Sequence, residues 1–183
     1  HQVGQLALVL HHELREAEGF EAACLERLAE FAEKDSRALS TTKRWLREPD
    51  VGLALDPEWR VQAGQVPGQV IGRVDSREVN AVTAWLADLA RERELPEKLV
   101  VIHQFTDDMV DHSKLKQRDN LAIVLNVDGF GGQSIKRAKY RRFAREAREF
   151  NPGFKLFYEE DTDLMAPRQV MALKPRPDLI VYE

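Results

Sequence analysis

The chain has 183 residues, a net charge of −4, and 32% charged against 43% hydrophobic residues. That is the balance of a globular domain able to bury a core without disulfide or metal staples. The acidic sign argues against a general nucleic-acid binder, since phosphate contacts need a basic surface. A single cysteine, Cys24, excludes an intrachain disulfide, and no apolar run approaches the ~20 residues of a membrane helix.

The chain opens on His1 rather than Met and shows no signal peptide. This reads as a trimmed or processed sequence, with room for a targeting segment removed upstream. Residues 4–10 fit a short buried strand or the first turns of a helix equally well. From 18 to 34, Phe20, Cys24, Leu28 and Phe31 recur at helical spacing. Cys24 therefore reads as a small core residue rather than a nucleophile. A break at Asp35-Ser36 precedes a second helical stretch that ends near Arg47, before Pro49.

Val51 to Leu55 is apolar throughout and reads as a strand buried on both faces. A Gly-, Pro- and Gln-containing loop follows from Trp59 to Val74, with a small hairpin expected between Val61–Gln62 and Gln69–Ile71. Asp75 and Glu78 have capping-box spacing ahead of a helix whose apolar face is Val79, Val82, Leu86 and Leu89. Further strands are expected at Leu99–Ile102, Leu121–Val127, Phe154–Tyr158 and Leu179–Tyr182. A long amphipathic helix over 134–149, with Ile135, Ala138, Phe143 and Ala147 inward, joins the third of the five strands to the fourth. Asn151-Pro152-Gly153 stops it. The connections after the second and fourth strands are shorter and predict helices of about one turn.

Strands apolar on both faces and joined by helices pair in parallel. The expected fold is α/β, a partial or compact (β/α)8-barrel-like arrangement. No Gly-x-Gly-x-x-Gly turn follows the first strand, which removes the dinucleotide-binding alternative. The chain divides into residues 1–34, a helical or strand–helix segment, and residues 35–183, the β/α repeat domain. A barrel needs eight strands and about 250 residues; five strands and one further candidate are visible here.

The strand ends carry Asp56-Pro-Glu58-Trp59, His103-Gln104-Phe105, Asn126-Val-Asp128-Gly129 and Tyr158-Glu159-Glu160-Asp161, and in a barrel these ends converge on one mouth. If Leu179–Tyr182 is the eighth strand, Glu58 follows the fourth and Glu159 or Glu160 the seventh, where many barrel glycoside hydrolases keep their two carboxyls. One protonates the leaving oxygen and the other attacks or activates water, ~5 Å away in retaining and ~6.5–9.5 Å in inverting enzymes. Asp56, His103 and Asp128 complete the catalytic candidates. Trp59, Gln104, Phe105 and Tyr158 are the substrate-binding candidates, their rings able to stack a sugar.

Each acid has a plainer reading as a loop cap or surface partner. No His-x-His or Glu-x-x-His spacing calls for a metal, and no cofactor is expected. The Asp128–Ser134 turn could hold a phosphate at a helix N-terminus, but it lacks the lysine of a P-loop. The basic run from Lys136 to Arg148 reads as a solvated helix face.

The stretches Glu48-Pro-Asp-Val-Gly-Leu-Ala-Leu-Asp-Pro-Glu-Trp59, Pro67-Gly-Gln-Val-Ile-Gly72, Glu78-Val-Asn80, Leu95-Pro-Glu-Lys-Leu99, His103-Gln-Phe105, Asn126-Val-Asp-Gly129, Phe157-Tyr-Glu-Glu-Asp161 and Pro167-Arg-Gln-Val-Met-Ala172 occur together. In that combination the chain resembles a family of conserved actinobacterial proteins, exported or lipoprotein-like and mostly uncharacterised, with a TIM-barrel-like C-terminal region. The resemblance covers about three quarters of the chain, from about Trp45 onward, and leaves residues 1–34 unmatched. It implies an extracytoplasmic setting and a longer parent protein with further strands upstream, and supplies no reaction.

Two functions remain open. One is a glycoside-hydrolase-like enzyme using a carboxylate pair; the other is a non-catalytic cell-envelope or carbohydrate-binding protein on the same scaffold. Neither involves nucleic acid or a transmembrane segment. Open sheet edges make self-association a natural expectation.

Overall fold

The computed structural model describes residues 6–7, 44–66 and 68–183. Cys24 and its helical stripe lie outside the described residues, as does the second helical stretch up to residue 43. The described strands are β1 (Leu6–Ala7), β2 (Leu53–Leu55), β3 (Lys98–Gln104), β4 (Leu121–Val127), β5 (Asn151–Leu156) and β6 (Leu179–Tyr182). They form one sheet in sequence order, with β1 antiparallel to β2 and every later pair parallel.

Sequential order has a direct consequence. Each parallel crossover steps the same way along the sheet, and right-handed crossovers then put their helices on one face. The strands curl into a half-barrel whose other face is the inside. Three helices are described in the crossovers: α1 (Ser76–Glu92), α2 (Gln133–Glu146) and the short α3 (Pro167–Met171). The two brief connections expected from the sequence are there: a 3-10 turn at His112–Lys114 after β3, and α3 after β5.

Alternation along each strand sorts the side chains. Leu53, Val100, Ile102, Ile123 and Leu125 pack with Val79, Val82 and Leu86 of α1. Phe154 and Leu156 pack with Tyr140 and Phe143 of α2 and with Val170 of α3. Leu86 and Ile102 are wholly buried; truncating either to Ala removes about 2–5 kcal/mol. The alternate residues face inward. Register aligns Ala54, Val101 and Val124 across β2–β4, and His103 with Asn126 and Gly153 one step further on.

Several sequence expectations need correction. Among the described residues of this loop, turns lie at Ala63-Gly64 and Gly68-Gln69, and the expected hairpin strands are not formed. The pairing moves outward, with Gly72 N–H donating to Glu58 O at 2.7 Å and Arg73 N–H to Arg60 O at 3.1 Å. Asp75 does cap α1, accepting from Arg77 N–H, but Glu78 directs its carboxylate to Arg60 at 3.0 Å instead of closing a capping box. β3 runs two residues further than expected, to Gln104, so His103 is its penultimate residue.

Two further differences have one cause each. Asn151-Pro152-Gly153 begins β5 instead of forming a turn. An added Cβ at Gly153 would stand 2.8 Å from Asn126 Oδ1 and 3.0 Å from its Cα, so the glycine serves close strand approach. On α2, Ile135 and Ala138 face solvent, and the buried side is Lys136, Tyr140, Phe143 and Ala144. A buried ion pair at Lys136 rotates the helix away from the purely apolar face that its pattern suggests.

Candidate functional site

The carboxyl ends of the strands bring together Asp56, Glu58, His103, Asn126, Asp128, Lys155 and Glu183. Asp56 sits immediately past β2 and leads into a 3-10 turn, Pro57–Trp59, whose proline occupies the first position and presets the backbone. The turn closes through Trp59 N–H to Asp56 O and Arg60 N–H to Pro57 O. The Glu58 carbonyl is held by Gly72 and the neighbouring Arg60 by Glu78, so the turn is fastened to the start of α1.

His103 stands between two carboxylates. Its Nδ1 meets Asp128 Oδ2 at 2.9 Å, and its Nε2 lies 3.6 Å from Asp56 Oδ1. Asn126 Nδ2 flanks the ring at 3.4 Å. Lys155 Nζ reaches Asp128 Oδ2 at 3.5 Å and Glu183 Oε2 at 2.5 Å. Asp128 Oδ1 accepts the Gly129 N–H at 2.6 Å. Asp128 is thus bound on both oxygens, whereas Asp56 makes only the looser contact.

These surroundings drive the acids apart. Burial, then the neighbouring Asp56 charge, pushes Glu58 up to about 7. Burial also raises Asp56, against the opposing pull of His103 and Lys155. Burial acts to raise Asp128 too, but its hydrogen bond and charge contact with His103, together with Lys155 and the Gly129 N–H, outweigh it and hold the carboxyl below the usual range. For His103, burial favours the neutral ring; the Asp128 hydrogen bond and the charges of Asp56 and Asp128 prevail and raise it. Lys155 is likewise raised, burial being offset by Asp128, Glu183 and Asp56.

Two polar atoms here are buried without a hydrogen-bond partner, Glu58 Oε2 and Asn126 Oδ1. Buried polar atoms normally find partners, so these two mark where the site is incomplete by itself. His103, Asp56 and Asp128 do not converge as metal ligands, because both ring nitrogens face carboxylates. Among the described residues no group of three or more His, Cys, Asp or Glu is arranged to hold a metal ion.

Of the residues singled out in the sequence, Asp56, Glu58, His103 and Asp128 come together. Glu159 and Glu160 lie in an exposed turn beyond β5, and the acid that reaches the cluster from that side is Glu183. Gln104 is fully buried and holds the loop after β3, donating to Val110 O at 3.1 Å and Thr106 O at 3.3 Å. Phe105 lies beneath the Lys139 ammonium at 5.8 Å. Trp59 is partly exposed on the 3-10 turn. Tyr158 is exposed and stacks on Tyr182, with centroids 5.5 Å apart.

Sequence reasoning missed Lys155, Glu183 and the pair formed by Lys136 and Asp161. One signal for Lys155 was present: a charge between Phe154 and Leu156 must face away from the helix side. The Asp128–Ser134 turn uses two of its amides within the fold. Its amides at Gly129 and Gly131 already donate to Asp128 and Asp161.

Among the described residues no helix is long and apolar enough to cross a membrane. Comparisons with protein-family models, with curated proteins and with solved structures found no match for this chain.

Proposed function

We propose that the chain is a hydrolase of glycosidic bonds, with Glu58 as proton donor and Asp56 as the facing carboxylate. One observation carries the reading: Glu58 is raised to about 7 while Asp128, in the same cluster, is lowered. Titratable groups pushed apart by their surroundings are how one site holds an acid and an anion at the same pH. Glu58 gives its proton to the leaving oxygen as the bond between that oxygen and the anomeric carbon breaks; a water then adds at that carbon and returns its proton to Glu58. Asp56 lies against the positive charge that develops there.

His103 and Asp128 act behind Asp56. With Nδ1 facing Asp128, Nε2 lies toward Asp56, and positive charge on the ring opposes the burial that raises the Asp56 carboxyl. The facing role expected for Glu159 or Glu160 suits Asp56 better, because Asp56 belongs to the cluster and both glutamates stand in the exposed turn. An extracytoplasmic setting, implied by the family resemblance, fits an envelope polysaccharide as substrate.

The test is turnover of aryl glycosides by Glu58→Gln. General-acid assistance contributes about 10²–10⁴-fold, so turnover should fall by that order for poor leaving groups. It should fall far less for a dinitrophenyl glycoside, whose leaving group needs no proton. Unchanged turnover on both removes Glu58 from the reaction.

A second reading, a non-catalytic envelope-binding protein, is favoured by the exposed Tyr158 stacked on Tyr182. Glycan affinity that survives in Tyr158→Phe, falls in Tyr158→Ala and accompanies no turnover in the parent chain would select it.

A further inference from the structure

The turn between β4 and α2 holds a phenyl ring in solvent on a tightly fixed backbone. Phe130 is 64% exposed and lies between Gly129 and Gly131, whose φ values of 98° and 138° suit glycine. Asp128 and Asp161 take the N–H groups of those two glycines at 2.6 and 2.9 Å. Lys136 Nζ donates to the Gly129 carbonyl at 3.0 Å and the Lys155 carbonyl at 2.9 Å, and pairs with Asp161 Oδ2 at 3.1 Å. Asp161 Oδ2 also accepts the Phe157 N–H at 3.0 Å.

The Lys136–Asp161 pair is almost wholly out of solvent. Such a pair is seldom a gain over apolar packing, because desolvation consumes most of its Coulomb attraction. Its partners here are the carbonyl of Gly129, the amide of Gly131 and the backbone of β5, so what it fixes is the loop around Phe130. Phe130 in turn meets Phe157 edge-on at 6.0 Å. Lys155 Nζ lies over the Phe157 ring at 4.8 Å and reaches Asp128. The exposed ring is therefore one residue removed from the acidic cluster.

The geometry points to Phe130 as a sugar-stacking residue, the wall of a subsite beside the cluster, with Lys136 and Asp161 as its positioning residues. The inference rests on the glycosidic reading above and narrows its ligand to a pyranose unit. A sugar ring joins an apolar C–H face to a rim of hydroxyls that both donate and accept. Beyond Phe157 lie Lys155, a donor, and its acceptor partners Asp128 and Glu183, with the unpartnered Asn126 Oδ1 in the same cluster. A purely apolar ligand would leave Asn126 Oδ1 without a partner.

The experiment is calorimetric titration with cello-, xylo- and chito-oligosaccharides of increasing length, using the parent chain and Glu58→Gln. Phe130→Ala should weaken the best of them about tenfold, and Phe130→Trp should retain it. Lys136→Met, checked for an intact fold by circular dichroism, should weaken it comparably and add nothing in the Phe130→Ala background. Binding unaffected by Phe130→Ala overturns the subsite, as does no binding of any saccharide in the series. Full additivity in the double variant overturns the positioning role. Weakened binding in Phe130→Ala, alongside undiminished turnover in Glu58→Gln, upholds the subsite and rejects only the assigned acid.

Discussion

Among the described residues the half-barrel has two buried charged clusters, and they differ in how completely they are satisfied. Under the β4–α2 loop, Lys136 has three oxygen partners and both oxygens of Asp161 are bound. At the strand ends, His103 approaches Asp56 only to 3.6 Å, while Glu58 Oε2 and Asn126 Oδ1 have no partner. A closed network spends its charges on holding backbone in place. An open one keeps donors and acceptors for something that arrives, at a cost in stability. The comparison separates scaffold from site without reference to motif.

The largest expected effect breaks the closed cluster. Lys136→Ala leaves Asp161 buried without its cation and should cost about 3–5 kcal/mol in urea denaturation. A loss below about 1 kcal/mol would mean that the loop does not depend on the pair.

The open cluster should respond in the opposite sense. Glu58 is raised from 4.5 to about 7, so the folded chain resists its ionisation. Relative stability is then fully present below pH 4.5 and is lost as pH rises through about 7. His103, also raised, acts in the same direction above its ordinary 6.5. Asp128, lowered, contributes stability above its ordinary 3.8 and loses it as pH falls through its folded value. Glu58→Gln should therefore gain stability at pH 8, by at most about 3 kcal/mol, and little at pH 4. The difference between melting profiles at the two pH values measures it.

Lys155→Met removes the cation shared by Asp128 and Glu183 and should destabilise by about 2 kcal/mol, less than the loss of Lys136. Smallest of all, Phe130→Ala should change stability by no more than about 0.5 kcal/mol, since its ring is mostly in solvent. A larger loss would make Phe130 a packing residue and merge the two regions.

The fold was legible because β3 and β4 are apolar on both faces, a pattern only covered parallel strands need. Asp56, His103 and Asp128 were legible as strand-end polar residues. The start of β5 was not, because Asn-Pro-Gly has turn chemistry and only the close approach of Val124 and Asn126 on β4 explains Gly153 within a strand. The inward face of α2 was hidden for a related reason. Lys136 is charged, and its burial depends on Asp161, 25 residues later in the numbering, which no periodicity connects. Glu159 and Glu160 attracted attention as adjacent acids, yet β5 ends at Leu156 and leaves them in the turn.

The proposed chemistry depends most on Glu58 keeping its proton near neutrality in a cluster that holds Asp128 ionised. A carboxyl ¹³C titration of the folded chain, with Glu58 assigned through Glu58→Gln, reads this without any substrate. The predicted midpoint is about 7, moving downward in Asp56→Asn as the neighbouring charge is removed. A midpoint near 4.5, indifferent to Asp56→Asn, would contradict the account.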